Sequence, residues 1–177
     1  MKRLLVIAAL AACIAACNQN AATDKTAATT APAADSIKYP YKATYSSSFM
    51  IGDPANAKTI LDLWKSFEEN RLQDSKESWA DTVTMEFADG YKFHGSRDSL
   101  LSMGAAVRGK YSAMIDSVEA WVPLHSNDKN EDWVGVWGME YATAKTGKKD
   151  TTDLHEVWQL KNGKVVYMIQ FAGKRKM

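Results

Sequence analysis

From Tyr111 to Ala172 the chain runs through four strand-like segments in succession, Tyr111 to Leu124, Trp133 to Thr143, Thr151 to Leu160 and Val165 to Ala172, separated by short polar connections. Runs this long and this closely joined pair as neighbours in an antiparallel sheet, and the apolar face of such a sheet needs a cover. The upstream segment supplies one. Asp53-Pro54 marks a helix start, with Asp53 as the cap and Pro54 in the first turn. Ala57, Ile60, Leu61, Trp64 and Phe67 follow at spacings of three and four, which places them on one stripe. Asp74-Ser75-Lys76-Glu77 reads as a capping box for a short second helix ending at Trp79. Thr82 to Phe87 alternates polar and apolar, Asp89-Gly90 turns, and Tyr91 to His94 returns as a hairpin partner. A third helix starts at Ser96 and stops at Gly109. Helices early and long strands late indicate an α+β domain, with about three N-terminal helices gathered on one face of an antiparallel sheet.

Which side chains meet the helices depends on the turns, because a slip of one residue moves a whole strand's side chains to the other face. A two-residue turn at Asn162-Gly163 pairs His155 with Gln170. A three-residue turn of Lys161, Asn162 and Gly163 pairs Glu156 with Met168. The second is favoured, because it gathers Leu154, Trp158, Leu160, Val166 and Met168 on one face and sets Gly135 opposite the bulky Trp158. An even-length turn around Thr146-Gly147 adds Trp137, Met139 and Tyr141 to that face. The result is an apolar wall interrupted by Glu156 and Gln170. His155, Val157, Tyr167, Ile169 and Phe171 form a second semi-apolar surface on the opposite side, to be covered by Tyr39 to Met50 as an added strand or by a second copy of the chain.

The N-terminus carries a different kind of information. Lys2 and Arg3, the apolar run from Leu4 to Ala16 and the sequence Ile14-Ala15-Ala16-Cys17 resemble a bacterial lipoprotein signal. The apolar run is too short to span about 30 Å of hydrocarbon. The resemblance implies cleavage after residue 16 and a lipidated Cys17; Leu10-Ala11-Ala12-Cys13 also fits the pattern but leaves a very short signal. More than one acyl chain holds firmly where a single chain is reversible. Asn18 is not the Asp that retains lipoproteins at the inner membrane, so the implied location is the bacterial cell envelope, lipid-anchored at the outer membrane. Residues 17–38, rich in Ala, Thr, Asn and Pro, read as a flexible tether whose composition cannot offset the entropy of ordering. Residues 39–174 form the domain.

Both cysteines belong to the signal motif, Cys13 leaving with it and Cys17 taking the lipid, so the mature chain forms no internal disulfide and its fold rests on its core. The 22 basic and 21 acidic residues carry no nucleic-acid footprint. His94, His125 and His155 stand far apart, without the His-x-His or His-Glu-x-x-His spacing of a metal site. No nucleophile elbow and no phosphate-cradling glycine loop is present. Neither a metal nor a cofactor is expected.

The order of elements, Trp79-Ala80-Asp81 leading into the first strand, His94-Gly95 before the third helix, and Glu156-Val157-Trp158 followed by Asn162-Gly163-Lys164-Val165-Val166 resemble the nuclear transport factor 2-like superfamily. That superfamily includes ketosteroid isomerase, limonene epoxide hydrolase and the SnoaL-like polyketide cyclases. The similarity runs from about Ala55 to Phe171. It implies a cone-shaped, cystatin-like roll with a pocket at its open end and dimerisation through the sheet. Glu156 aligns with the aspartic acid that helps hold the oxyanion in ketosteroid isomerase. The catalytic base of that enzyme falls on Phe87, beside Glu86, and its partner tyrosine near Trp64. The general-acid aspartate of the epoxide hydrolases falls on Gln170, an amide that transfers no proton. Asp81 matches a position often acidic in the superfamily, and its place at a strand start suits a cap or turn.

A carboxylate on an apolar aromatic wall is costly to ionise, and a carboxyl so raised can donate a hydrogen bond or move a proton near neutral pH. The candidate ligand pocket is Trp137, Tyr141, Glu156, Trp158, Met168 and Gln170, with Glu156 as the candidate catalytic residue. The expected function is binding of a small, largely apolar molecule or a partner protein by a membrane-anchored domain. The alternative is a proton-transfer isomerase, dehydratase or hydrolase that uses Glu156.

Overall fold

The computed structural model describes residues 37–175, and the folded unit begins at Ala43. Residues 1–36, with the signal, both cysteines and most of the tether, lie outside the described residues. Seven strands and two α-helices follow in the order β1 (Phe49–Ile51), α1 (Pro54–Glu68), a 3-10 helix (Leu72–Ser78), β2 (Trp79–Glu86), β3 (Lys92–Ser96), α2 (Arg97–Arg108), β4 (Tyr111–Ser126), β5 (Glu131–Ala144), β6 (Lys149–Lys161) and β7 (Lys164–Lys174). The strands form one curved sheet in the order β1-β4-β5-β6-β7-β2-β3. All neighbouring pairs are antiparallel except β2 and β7, which run parallel and let the early hairpin extend the late sheet.

Local chemistry explains the helix ends. Asp53 accepts a hydrogen bond from the Ala55 amide at 2.8 Å and Pro54 occupies the first turn of α1. Ser96 caps α2 by accepting from the Ser99 amide, and Gly109 closes it. The buried stripe of α1 holds Ala57, Ile60, Leu63 and Trp64, while Leu61 is only partly buried. The capping box expected at Asp74 does not form. The chain winds as a 3-10 helix from Leu72, its preceding Arg71 provides no side-chain cap, and the Ser75 hydroxyl donates back to the Leu72 carbonyl.

The turns decide the faces. Ala144 and Lys148 pair across a three-residue loop with Gly147 at positive φ. This loop is odd in length, so Trp137 pairs with His155 and Tyr141 with Thr151. Trp137 and Tyr141 therefore lie on the outer face, away from the helices, and are 37% and 42% exposed. Gly135 shares that face: it pairs with Val157, not Trp158, and its missing Cβ would meet the Trp137 ring at 3.3 Å.

At the last hairpin the two-residue turn forms, not the favoured three-residue one, and neither expected pairing, His155 with Gln170 or Glu156 with Met168, occurs. Asn162 and Gly163, both at positive φ, make a two-residue turn, and an irregularity beyond it opposes Gln159 to Tyr167 but Leu160 to Val165. Glu156 thereby faces Gln170 and Trp158 faces Met168. Val165, not Val166, enters the core.

The inner face of the sheet and the two helices enclose the core, where Ile60, Val83, Leu101, Val134, Val136 and Val165 are fully buried. Of the strand expected from Tyr39 to Met50 only Phe49 and Met50 are extended, as part of β1; this short strand pairs with the edge of β4, and among the described residues nothing covers the face around His155 and Phe171.

Candidate functional site

The inner face of β6 and β7 presents the alternating row that period-two geometry requires. Trp158 and Met168 are buried in the core, with Glu156 and Gln170 beside them on the same face. Trp64 of α1 lies over this row. It can do so because β5 has glycine at 138, where a Cβ would stand 3.1 Å from the Trp64 ring and 2.7 Å from the Ser117 carbonyl oxygen.

Glu156 is 6% exposed and all of its hydrogen bonds go to neutral donors. Its Oε2 accepts from the indole nitrogens of Trp64 at 2.7 Å and Trp158 at 3.1 Å, and its Oε1 accepts from the Gln170 amide nitrogen at 2.8 Å. Burial pushes the carboxyl above its ordinary range; the three donors pull it back and nearby Glu140 adds to the rise. Indoles only donate. Oε2 is thus committed as an acceptor, and a proton taken up by this carboxyl must sit on Oε1.

These residues bound a cavity of about 170 Å³ between the sheet and the helices. Its walls are apolar and aromatic: Leu63, Trp64 and Phe67 from α1, Trp79, Met85 and Phe87 from β2 and its turn, and Leu100, Met103 and Val107 from α2. Glu156 is the one ionisable side chain among its described lining residues. Phe87, Met103, Val107 and Gln170 also border a wider vestibule of about 560 Å³, whose rim carries Asp89, Tyr91, Tyr111, Thr152 and Lys174.

Of the residues singled out in the sequence, Glu156, Trp158, Met168 and Gln170 meet at this cavity, and Trp137 and Tyr141 do not. Asp81 is exposed and pairs with Arg97 at 3.4 Å. His94 bonds Thr84, His125 bonds Asp132, and His155 stacks on Trp137 at 4.8 Å. The wall contributed by α2 went unnoticed in the sequence, as did the indole bond from Trp64 to Glu156: its place on the helical stripe marks Trp64 as core, and the resemblance set only the isomerase's partner tyrosine near it.

A second acidic group lies along the same inner face. Asp116 on β4 opposes Glu140 on β5, and the Asp116 amide donates to Glu68 at 3.4 Å. Asp116 Oδ1 is buried without a hydrogen-bond partner among the described residues. Burial, then Glu140, Glu68 and Glu156, push the Asp116 carboxyl up to about 7, against the pull of Lys65. The sequence carried a signal for it, since Asp116 sits midway between Met114 and Val118 on an inward row.

Stability follows from that shift. Below the ordinary value of 3.8 both the folded and the unfolded chain carry the proton; above it the unfolded chain loses it first, so stability falls as pH climbs from 3.8 to about 7. Asp116→Asn is expected to stabilise the domain by about 1–2 kcal/mol at pH 8, the full linkage being reduced by partial access of water. At pH 4 the gain should nearly vanish. Urea unfolding at both pH values checks this, and an equal gain at each would show that the charge is not the cause.

No protein-family model and no curated protein sequence matches this chain. Solved structures do. A protein named as a SnoaL-like polyketide cyclase from Jannaschia sp. CCS1 is 15% identical, with a TM-score of 0.55 over 68% of this chain and 86% of that one. An NTF2-like protein of unknown function from Burkholderia pseudomallei is 20% identical, with a TM-score of 0.55 over 67% and 91%. An LEH-like epoxide hydrolase from M. tuberculosis is 8% identical, with a TM-score of 0.55 over 68% and 84%. The protein is an α+β roll of the nuclear transport factor 2-like fold. At these identities the likeness is one of architecture, which different chemistries share.

Proposed function

We propose that this domain is a binding module that takes a small, largely apolar molecule into the cavity beside Glu156, and that a lipidated Cys17 and the tether of residues 17–38 hold it at the outer membrane of a bacterial cell envelope. The observation that carries the reading is an apolar, aromatic cavity whose polar side chains converge on a single spot, Glu156 and Gln170. Binding is favoured over catalysis because all three donors around Glu156 are engaged with it and no second acid or base lines the described cavity. The apolar outer face, where His155 lies between Trp137 and Phe171, suits a second copy of the chain.

Native mass spectrometry of the Cys17→Ser chain, exported to the periplasm and purified without denaturation, tests both points. A mass excess lost on denaturation is expected, on a dimer. A clean apo mass would move the reading to partner-protein binding. The anchor has its own test: with Cys17 intact the protein should fractionate with the outer membrane, and Cys17→Ser should release it to the soluble periplasm. Release of neither form would leave no role for lipid.

The enzyme reading keeps one favourable observation, the carboxyl raised by burial. Glu156→Gln separates the two, since a proton-transfer enzyme loses most of its turnover with that change and a binding module retains its ligand with modest loss.

A further inference from the structure

Glu156 is a buried acid with no countercharge among the described residues. Among the described residues no lysine, arginine or histidine lines its cavity. The other charges that bear on the inner face nearby are those of Glu140, Asp116 and Glu68, all acidic, with Lys65 and Arg108 beyond them at the helix ends. Lys174, on the vestibule rim, is paired with Asp150 at 2.9 Å. The three hydrogen bonds to Glu156 all come from neutral donors and all favour its ionised form. Burial outweighs these bonds and holds the carboxyl above its ordinary range, so the charged form that the donors are arranged to receive still lacks a cation; with none among the described lining residues, the cation is left to the ligand, since attraction between opposite charges strengthens as water is excluded. The rest of the wall suits such a guest. Trp64, Phe67, Trp79, Phe87 and Trp158 line the cavity, and aromatic rings attract ammonium groups as well as hydrocarbon.

We propose that the molecule this cavity takes is a small organic cation, an ammonium on a compact hydrocarbon, with its charge against Glu156 Oε1 and its apolar body among the aromatic side chains. This deepens the reading of the cavity as a binding site and rests on it. Size follows from volume: the cavity of about 170 Å³ is comparable with the ~150 Å³ apolar cavity that holds benzene, so a six-membered ring with one substituent is the scale.

The test is calorimetric titration of the Cys17→Ser chain with three probes of one shape, cyclohexylammonium, cyclohexanol and cyclohexanecarboxylate, at pH 7.5. The ammonium is expected to bind at least roughly tenfold more tightly than the alcohol, and the carboxylate not at all. Glu156→Gln, with its fold checked by circular dichroism, should bring ammonium and alcohol to equal affinity. Should that variant fail to fold, the order of the three probes on the unaltered site still decides. Alcohol binding as tightly as ammonium, or a preference that survives Glu156→Gln, overturns the cation reading and leaves the binding site standing. Failure of all three probes to bind overturns both.

Discussion

Glu156→Leu is expected to destabilise the domain by about 3–6 kcal/mol, whereas Glu156→Gln should stay within about 1 kcal/mol of the parent chain. The difference lies in what the neighbours are left with. Leucine removes the acceptor that, among the described residues, serves the Trp64 and Trp158 indoles and the Gln170 amide, all at or behind the cavity wall. A buried donor without a partner costs about 1–3 kcal/mol, and three are stranded together. The apolar gain of a leucine offsets part of this and does not cancel it. Glutamine behaves differently because its amide oxygen can take the Oε2 position and accept from both indoles. Its nitrogen then faces Gln170, whose amide turns over to offer its oxygen. Urea unfolding followed by tryptophan fluorescence measures both variants. A leucine variant as stable as the parent would mean that the three donors find water instead, and that the network plays no part in holding α1 to the sheet.

The same network shows where reading from sequence reached and where it stopped. Helix α1, helix α2 with its Ser96 cap and Gly109 stop, and four of the long strands were legible because each is a local matter of period, cap and turn. The convergence of Glu156, Trp158, Met168 and Gln170 followed from alternation along β6 and β7. Trp137 and Tyr141 were misplaced because their face depends on whether the loop at residues 145–147 is odd or even, a single-residue matter that composition does not record. The last hairpin is of the same kind: the two-residue turn and the bulge between Gln159 and Leu160 each shift the register by one, and together they change the partner of Glu156 from the expected Met168 to Gln170 while keeping its face. The parallel pairing of β2 with β7 joins segments some eighty residues apart, and no local pattern announces it. The acid row of Asp116 and Glu140 combines both obstacles, since each residue alone looks like an ordinary polar position and only their pairing across β4 and β5 makes a charged site.

Arg108→Ala is expected to cost about 3–4 kcal/mol, although the residue lies outside the cavity. The side chain leaves the last turn of α2, is 8% exposed, and spends its donors on backbone carbonyls of other elements. Its Nε donates to Phe67 and Glu68 oxygens at 3.1 Å, one terminal nitrogen to Glu68 at 2.8 Å, and the other to Tyr111 at 3.2 Å. The last carbonyls of α1 have no partner within their own helix and carry the negative end of its dipole, so a cation there serves as cap and countercharge together. One side chain thus ties the end of α1 to α2 and to the start of β4. Alanine removes the side-chain donor from the Glu68 and Tyr111 carbonyls, while the Phe67 carbonyl keeps the Asn70 amide. Lysine reaches the place with a compact ammonium that cannot span all three, so Arg108→Lys should recover only part of the loss. Arg108 also lowers the Glu140 carboxyl, and its removal should steepen the fall of stability with rising pH described for Asp116. Unfolding of the alanine and lysine variants at pH 5 and pH 8 tests both statements. A loss that is equal at the two pH values would assign Arg108 to capping alone; a larger loss at pH 8 would show that it also restrains the acid row, and that α1, Trp64 and the cavity are held in place by charge as well as by packing.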